Sequence, residues 1–263
     1  MLPQIHIFGR EIGTYALCGV IGILVAGWVF CRLLKKRGQS DDEGVMLLVV
    51  AGLGSVLGSH LLYGLTNLRL FRAFALVSSF REGIYVLGKI FGGGVFYGGL
   101  IGGLIVALMY IKKRRLDLCE FSDCGAICIP LFHSFARVGC FFAGCCYGIE
   151  SNWGFASSFN PFVPEVVGIR RFPTPLLEAA LNLILFFFLF LIREKKVLRG
   201  ALIFVYLLSY AVIRFSIEFL RGDAVRGIWL GLSTSQWISI GLLIFSLGGI
   251  VRMIIKKREE PNS

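Results

Sequence analysis

Two sets of side chains in this sequence have the types and spacing to do chemistry inside a membrane. His133, Arg137, Cys140 and Gly144 recur at helical intervals, and Tyr210, Arg214, Glu218 and Arg221 do so at a similar spacing. On continuous helices each set forms one stripe. A guanidinium grips phosphate through a planar fork. Two such stripes facing one cavity would therefore hold a phosphate-bearing group between two arginines and a carboxylate. Arg214 and Glu218, four residues apart, are equally able to neutralise each other. Arg137 has no acidic residue three or four positions away, which favours a functional role for it. His133 reads as a hydrogen-bonded core residue rather than a catalyst.

Six of the 8 cysteines crowd between Cys119 and Cys146. Zinc sites want paired thiolates at short fixed spacing, and Cys119, Cys124, Cys128, Cys140, Cys145 and Cys146 match no such template, so no metal ligand set is expected. Cys145 and Cys146 fall just beyond a hydrophobic segment. A bond between neighbours is sterically awkward, which makes Cys140 the more reasonable disulfide partner. Three readings stay open for this group: small packing residues, a disulfide brace, or a nucleophile whose thiolate Arg137 stabilises.

These residues need elements to position them, and composition says which kind. The 263 residues are 56% hydrophobic and only 16% charged, against about 25% charged in soluble domains. Mean hydropathy is +0.79. An ordinary soluble enzyme and a disordered chain are both excluded. The 33 glycines follow no G-X-Y period, and suit close packing of apolar helices. Seven segments reach the ~20 apolar residues that a bilayer demands: Ile12 to Leu34, Val45 to Leu65, Gly94 to Ile111, Phe121 to Phe142, Thr174 to Ile192, Gly200 to Phe219 and Ser235 to Ile255. The expected fold is an all-α polytopic membrane protein, residues 1–263 forming one membrane-embedded domain. Met1 to Gly9 has no lysine or arginine, so no cleaved signal peptide is expected.

The net charge of +11 raises nucleic acid as a partner, but its distribution disposes of that reading. Dense basic clusters follow spans one, three, five and seven: Arg32 to Arg37, Lys112 to Arg115, Arg193 to Arg199 and Arg252 to Arg258. Because they fall on one side, the positive-inside rule makes that side cytoplasmic, with the N-terminus outside and the C-terminus inside. The remaining basic residues are arginines apart from Lys89, and all lie in outer loops or outer membrane halves. Tyr15, His60, Tyr63, Tyr97, Glu178, Arg137, Arg214 and Glu218 share that outer depth, where an ionisable group is a functional candidate. The long outer connections, about 66–93, 143–173 and 220–234, should form a small head. In the first, Leu70, Phe71, Phe74, Ala75 and Val77 make a partial apolar stripe for a helix lying on the membrane.

Several stretches together resemble the prolipoprotein diacylglyceryl transferase family, over nearly the whole chain. GGGVFYGGLIGG (Gly92 to Gly103) is similar to its FHGGLIG motif, ARVGCFFAGCCYG (Ala136 to Gly148) to its GRxGNFxNxExxG signature, YAVIRFSIEFLRGD (Tyr210 to Asp223) to its RFxxEFxRxPD segment, and RFPTPLLE (Arg171 to Glu178) to its HPxQLYE stretch. The resemblance implies transfer of a diacylglyceryl group from phosphatidylglycerol to a lipobox cysteine of a prolipoprotein, with release of glycerol phosphate and without a cofactor. It places the protein in the bacterial cytoplasmic membrane, among membrane lipids, with its site at the outer leaflet. Catalytic roles then fall to Tyr97, Arg137, Arg214, Glu218, Cys140 and Cys145, and substrate binding to Tyr15, His60, Gly98, Gly99, Gly139, Glu178 and Arg221. The family's histidine is Tyr97 here, its first Asn is Cys140 and its Glu is Cys145. Those departures open two alternatives: a glycan or other acceptor for the lipid-derived group, or a lipid-binding scaffold without chemistry.

Overall fold

The computed structural model describes residues 4–7, 10–69, 71–72, 77, 79–156, 160, 164–195, 198–222 and 227–259. Among the described residues, seven helices are long and apolar enough to cross a membrane: α1 (Thr14–Lys36), α2 (Asp41–Thr66), α4 (Phe96–Arg114), α5 (Leu118–Ala143), α6 (Thr174–Ile192), α7 (Leu202–Ile217, extended by a 3-10 turn to Leu220) and α8 (Thr234–Glu259). The protein is an all-α, multi-pass membrane protein. A shorter helix, α3 (Phe80–Phe91), lies in the first long connection. Of the stripe expected there, Leu70, Phe74 and Ala75 lie outside the described residues. Among the described residues of this connection, the α3 helix is capped by Ser79 and shows Phe80, Ile84, Tyr85 and Leu87 on its surface. Two short strands before α1, β1 (Gln4–Ile7) and β2 (Arg10–Gly13), pair antiparallel.

The chain divides into two compact units, Gly38–Leu118 on one side and Met1–Arg37 with Cys119–Ser263 on the other. In the first, α2 and α4 touch backbone to backbone. A Cβ on Gly58 would collide with the Gly98 carbonyl oxygen and stand 2.9 Å from Gly102 Cα; one on Gly54 would lie 2.8 Å from the Gly102 oxygen. Small residues repeating along both helices allow this approach, which is how helices associate where lipid is as apolar as leucine. At the far end of the pair, Glu43 accepts from Tyr110 Oη at 2.6 Å and from Arg114 Nε at 3.0 Å. His60 Nδ1 donates to the carbonyls of Phe91 (2.7 Å) and Gly93 (2.9 Å), tying α2 to the turn before α4.

The second unit joins the other five spans, and its two ends differ in chemistry. At one end the buried Glu120 meets Arg37 Nη1 at 2.8 Å and Arg199 Nε at 2.6 Å. The buried Asp123 carboxylate accepts from the backbone N–H groups of Gly200 (2.6 Å) and Leu202 (3.0 Å), capping the start of α7. Helix starts leave such N–H groups without partners, and an anion there also opposes the helix dipole favourably. Arg37, Arg193 and Arg199 thus gather at one end, as the spacing of the basic clusters predicts. The opposite end is knitted by backbone bonds between the α5–α6 connection and the end of α7, such as Ile149 N to Leu220 O (3.0 Å), and within that connection, such as Phe172 N to Ile149 O (2.9 Å). Within it lies the strand β3 (Glu150–Phe155). The hairpin of β4 (Ile228–Trp229) and β5 (Leu232–Ser233) precedes α8.

Candidate active site

Arg137 lies one turn above His133 on α5, and its side chain is 16% exposed. The partner that sequence spacing fails to supply comes from α6: Glu178, buried, faces Arg137 Nη2 at 3.0 Å. Arg137 Nε donates to His133 Nε2 at 3.1 Å, so that nitrogen is an acceptor and the imidazole is the neutral Nδ1–H tautomer. The 3.7 Å approach of His133 Nε2 to Glu178 is therefore no ion pair. Tyr210 of α7 sets its ring 5.4 Å from His133, and Tyr206 stacks on Tyr210 at 5.9 Å. Glu178 is followed one turn on by Asn182, whose Nδ2 donates to the Glu178 carbonyl at 2.8 Å. Its buried Oδ1 has no hydrogen-bond partner among the described residues. Asn182 escapes a sequence reading because a single amide in LEAALNLILF carries no motif.

On α7, Arg214 pairs with Glu218 at 2.8 Å, the neutralising contact foreseen for residues four apart. A second N–H of Arg214 donates to Ser235 Oγ, in the first turn of α8, at 2.8 Å. Arg137 and Arg214 are linked through an aromatic contact: Arg137 bonds His133, whose ring meets Tyr210, and Arg214 follows Tyr210 by one turn on α7. Two guanidinium groups, each held by a buried carboxylate, thus flank one polar region of the unit. An unpaired charge at this depth costs several kcal/mol, which is why each arginine brings a glutamate. The stripe through Arg221 breaks after Ile217, where the chain tightens to the 3-10 turn Glu218–Leu220 and then extends.

The α5 stripe also stops short of Gly144. The helix ends at Ala143, Gly144 takes a left-handed φ of 72°, and two bonds close the end: Gly144 N to Phe141 O (3.2 Å) and Cys145 N to Cys140 O (3.1 Å). This is a Schellman cap, which habitually brings the residue after the glycine against the one five before it. Here those residues are Cys145 and Cys140. Cys146 follows with φ 57°, rare for a side chain other than glycine, and turns its thiol back. All eight cysteines are free, and the sulfurs of Cys140, Cys145 and Cys146 lie within 4.8 Å of one another. Arg137 Nη1 is 3.7 Å from Cys146 Sγ. Hydrogen bonds from the Cys140 and Cys145 thiols, then the charges of Arg221 and Arg137, hold the Cys146 thiol below the usual range. Hydrogen bonding to Cys140 and Cys146, with burial, pushes Cys145 up.

Tyr15 stands in the first turn of α1 with 53% of its surface exposed. Gly139 lets α1 come close, since a Cβ there would lie 3.2 Å from Tyr15 Cα. Tyr97, Gly98, Gly99 and His60 belong to the other compact unit. Tyr97 is half exposed in the first turn of α4 against Phe96. Gly98 and Gly99 sit in the α2–α4 contact, where a Cβ on Gly98 would lie 2.5 Å from Leu62 Cβ and one on Gly99 3.2 Å from the Ser55 oxygen. His60 is engaged by carbonyls. Their contacts within this unit are those of packing.

Comparison with known proteins bears on the same span of sequence. Residues 3–252 match the family model described as prolipoprotein diacylglyceryl transferase. A Clostridium tetani protein named phosphatidylglycerol–prolipoprotein diacylglyceryl transferase is 33% identical over 249 residues, covering 92% of this chain and 95% of its own. A Clostridium perfringens protein of that name, numbered 2, is 30% identical over 253 residues, 96% of this chain and 94% of its own. The namesake from Chromohalobacter salexigens is 30% identical over 253 residues, 95% and 90% of the two chains.

Proposed function

The chain belongs to the prolipoprotein diacylglyceryl transferase family, and from that premise we propose that it moves the diacylglyceryl group of phosphatidylglycerol onto the thiol of a prolipoprotein lipobox cysteine. The acceptor thiolate attacks the glycerol carbon that bears the phosphodiester. The carbon–sulfur bond forms as the carbon–oxygen bond breaks, and glycerol phosphate leaves with the electron pair. A phosphodiester departs readily only if its growing charge is held by preorganised donors. The observation that carries this reading is the pair of largely buried arginines, Arg137 on α5 and Arg214 on α7, each held by a buried glutamate on either side of the His133–Tyr210 contact. Glu178 and Glu218 position them, and each guanidinium has five N–H donors, enough to serve a carboxylate and a phosphate together.

The site is proposed to open to the outer leaflet, with the N-terminus outside. Support comes from the basic clusters and from the depth of Arg137 and Arg214 near the span ends opposite those clusters. Fluorescent protein fused after Ser263 should fluoresce, and alkaline phosphatase fused there should be inactive. The reverse pattern would invert the topology.

Incubating purified protein with phosphatidylglycerol vesicles and a lipobox peptide tests the reaction. Thioether-lipidated peptide and glycerol phosphate should appear in equal amounts. Tyr97, Cys140 and Cys145, standing where the family carries His, Asn and Glu, favour a second reading in which a glycan or other acceptor takes the lipid-derived group. Glycerol phosphate released without lipidated peptide would support it. No turnover of any kind would leave a lipid-binding scaffold.

A further inference from the structure

A thiol acceptor must lose its proton before it attacks, and the residue at the family's histidine position is a phenol, Tyr97. The structure supplies another means of activation. We propose that Cys140, Cys145 and Cys146 bind one zinc ion as three thiolates and present its fourth position to the acceptor thiol. The second half rests on the transferase reading above; the first does not.

Sequence spacing hides this site because its ligands are not a pair of short motifs. They converge through the Schellman cap and the left-handed turn at Cys146, which place three sulfurs within 4.8 Å of one another. Zinc–sulfur bonds of 2.3 Å at tetrahedral angles require sulfurs about 3.8 Å apart. Closing that gap of up to ~1 Å takes side-chain rotation at Cys145 and Cys146, both only half-buried. Three protein ligands with an open fourth position is the arrangement of a catalytic zinc site. Cys145 also borders a small crevice with Phe141, Tyr147, Arg171 and Phe172.

Charge balance agrees. Three thiolates around a divalent ion leave a net charge of −1, and a fourth makes it −2. Arg137, 3.7 Å from Cys146 Sγ, offsets part of it. On binding, the acceptor thiol releases its proton to solvent. The zinc-held thiolate then attacks the glycerol carbon, and zinc is freed as the thioether forms. A lipid relay through one of the three cysteines is chemically poorer, because a thioether once formed is a bad leaving group.

The full-length chain in detergent, purified without chelator, should retain one zinc per molecule. Replacement by cobalt should give the visible bands of a tetrahedral ion and a near-ultraviolet sulfur-to-metal band. A cysteine lipobox peptide should raise that band by roughly a third, as three sulfur ligands become four, and a serine peptide should not. Cys145→Ala should weaken zinc retention more than about tenfold. If that variant fails to fold, the cobalt spectrum of the unmutated chain still decides. Full lipid transfer by zinc-free protein would overturn the activating role of zinc and leave the transferase standing. A cobalt spectrum without sulfur bands, or a disulfide among the three in active protein, would overturn the site itself. A responsive spectrum with no transfer would keep the site and remove the transferase.

Discussion

Replacing Arg137 by lysine is expected to slow lipid transfer by about 10²- to 10³-fold, the loss typical of one preorganised donor to a developing anion. Lysine keeps the charge but not the fork. Arg137 serves Glu178, His133 and Cys146 with three different nitrogens, and a single ammonium at the end of a flexible stem cannot hold all three. The deficit should fall on turnover at saturating phosphatidylglycerol, and R137K should stay folded in detergent. Arg137→Ala should be worse in a different way. It strands the buried Glu178 carboxylate, an uncompensated charge worth about 3–5 kcal/mol of stability, so lost activity there would be mixed with lost fold. A lysine variant that keeps more than a tenth of the rate would show that Arg137 does not hold the phosphate.

Gly58→Ala should destabilise the Gly38–Leu118 unit by about 3 kcal/mol or more, beyond the ordinary cost of an overpacked core. The added methyl would run into the Gly98 carbonyl and the Gly102 Cα, which are backbone and cannot rotate away. The two helices must separate along their whole contact. Gly52, on the same helix, has nothing within 4 Å of its Cβ position, so Gly52→Ala should be neutral or gain up to ~1 kcal/mol from helix propensity. Thermal unfolding of the two variants in one detergent separates them. Equal melting temperatures would mean that the close approach of α2 and α4 contributes nothing.

What could be read from the sequence follows from the reach of each signal. Span positions were legible because apolar length is local: Thr174 to Ile192 agrees at both ends, and the other spans shift by a few residues where Asp41 or Leu118 extends a helix start beyond its apolar core. Arg214 and Glu218 were legible because a partner four residues away lies on the same helix face. Glu178 was a candidate by its depth, but its pairing with Arg137 was hidden. That contact joins α5 to α6 across 41 residues, and no periodicity links two helices. The thiol cluster was hidden for a different reason. A stripe drawn through Gly144 assumes that the helix continues, whereas the glycine ends it and reverses the chain. The α3 helix, Phe80–Phe91, carries its own start signal in the Ser79 cap, three residues before Glu82.

The cap on α7 has a consequence for how the protein is made. Asp123 finds its two N–H partners at Gly200 and Leu202, 77 and 79 residues further along. At about 5–20 residues per second, the ribosome needs roughly 4–15 s to supply them. Throughout that interval the carboxylate has only Arg37, 3.8 Å away in the finished protein, among its later partners. The buried place of Asp123 at the start of α5 is therefore completed only once α7 has been made, so one acidic side chain ties the packing of α5 to a helix synthesised much later.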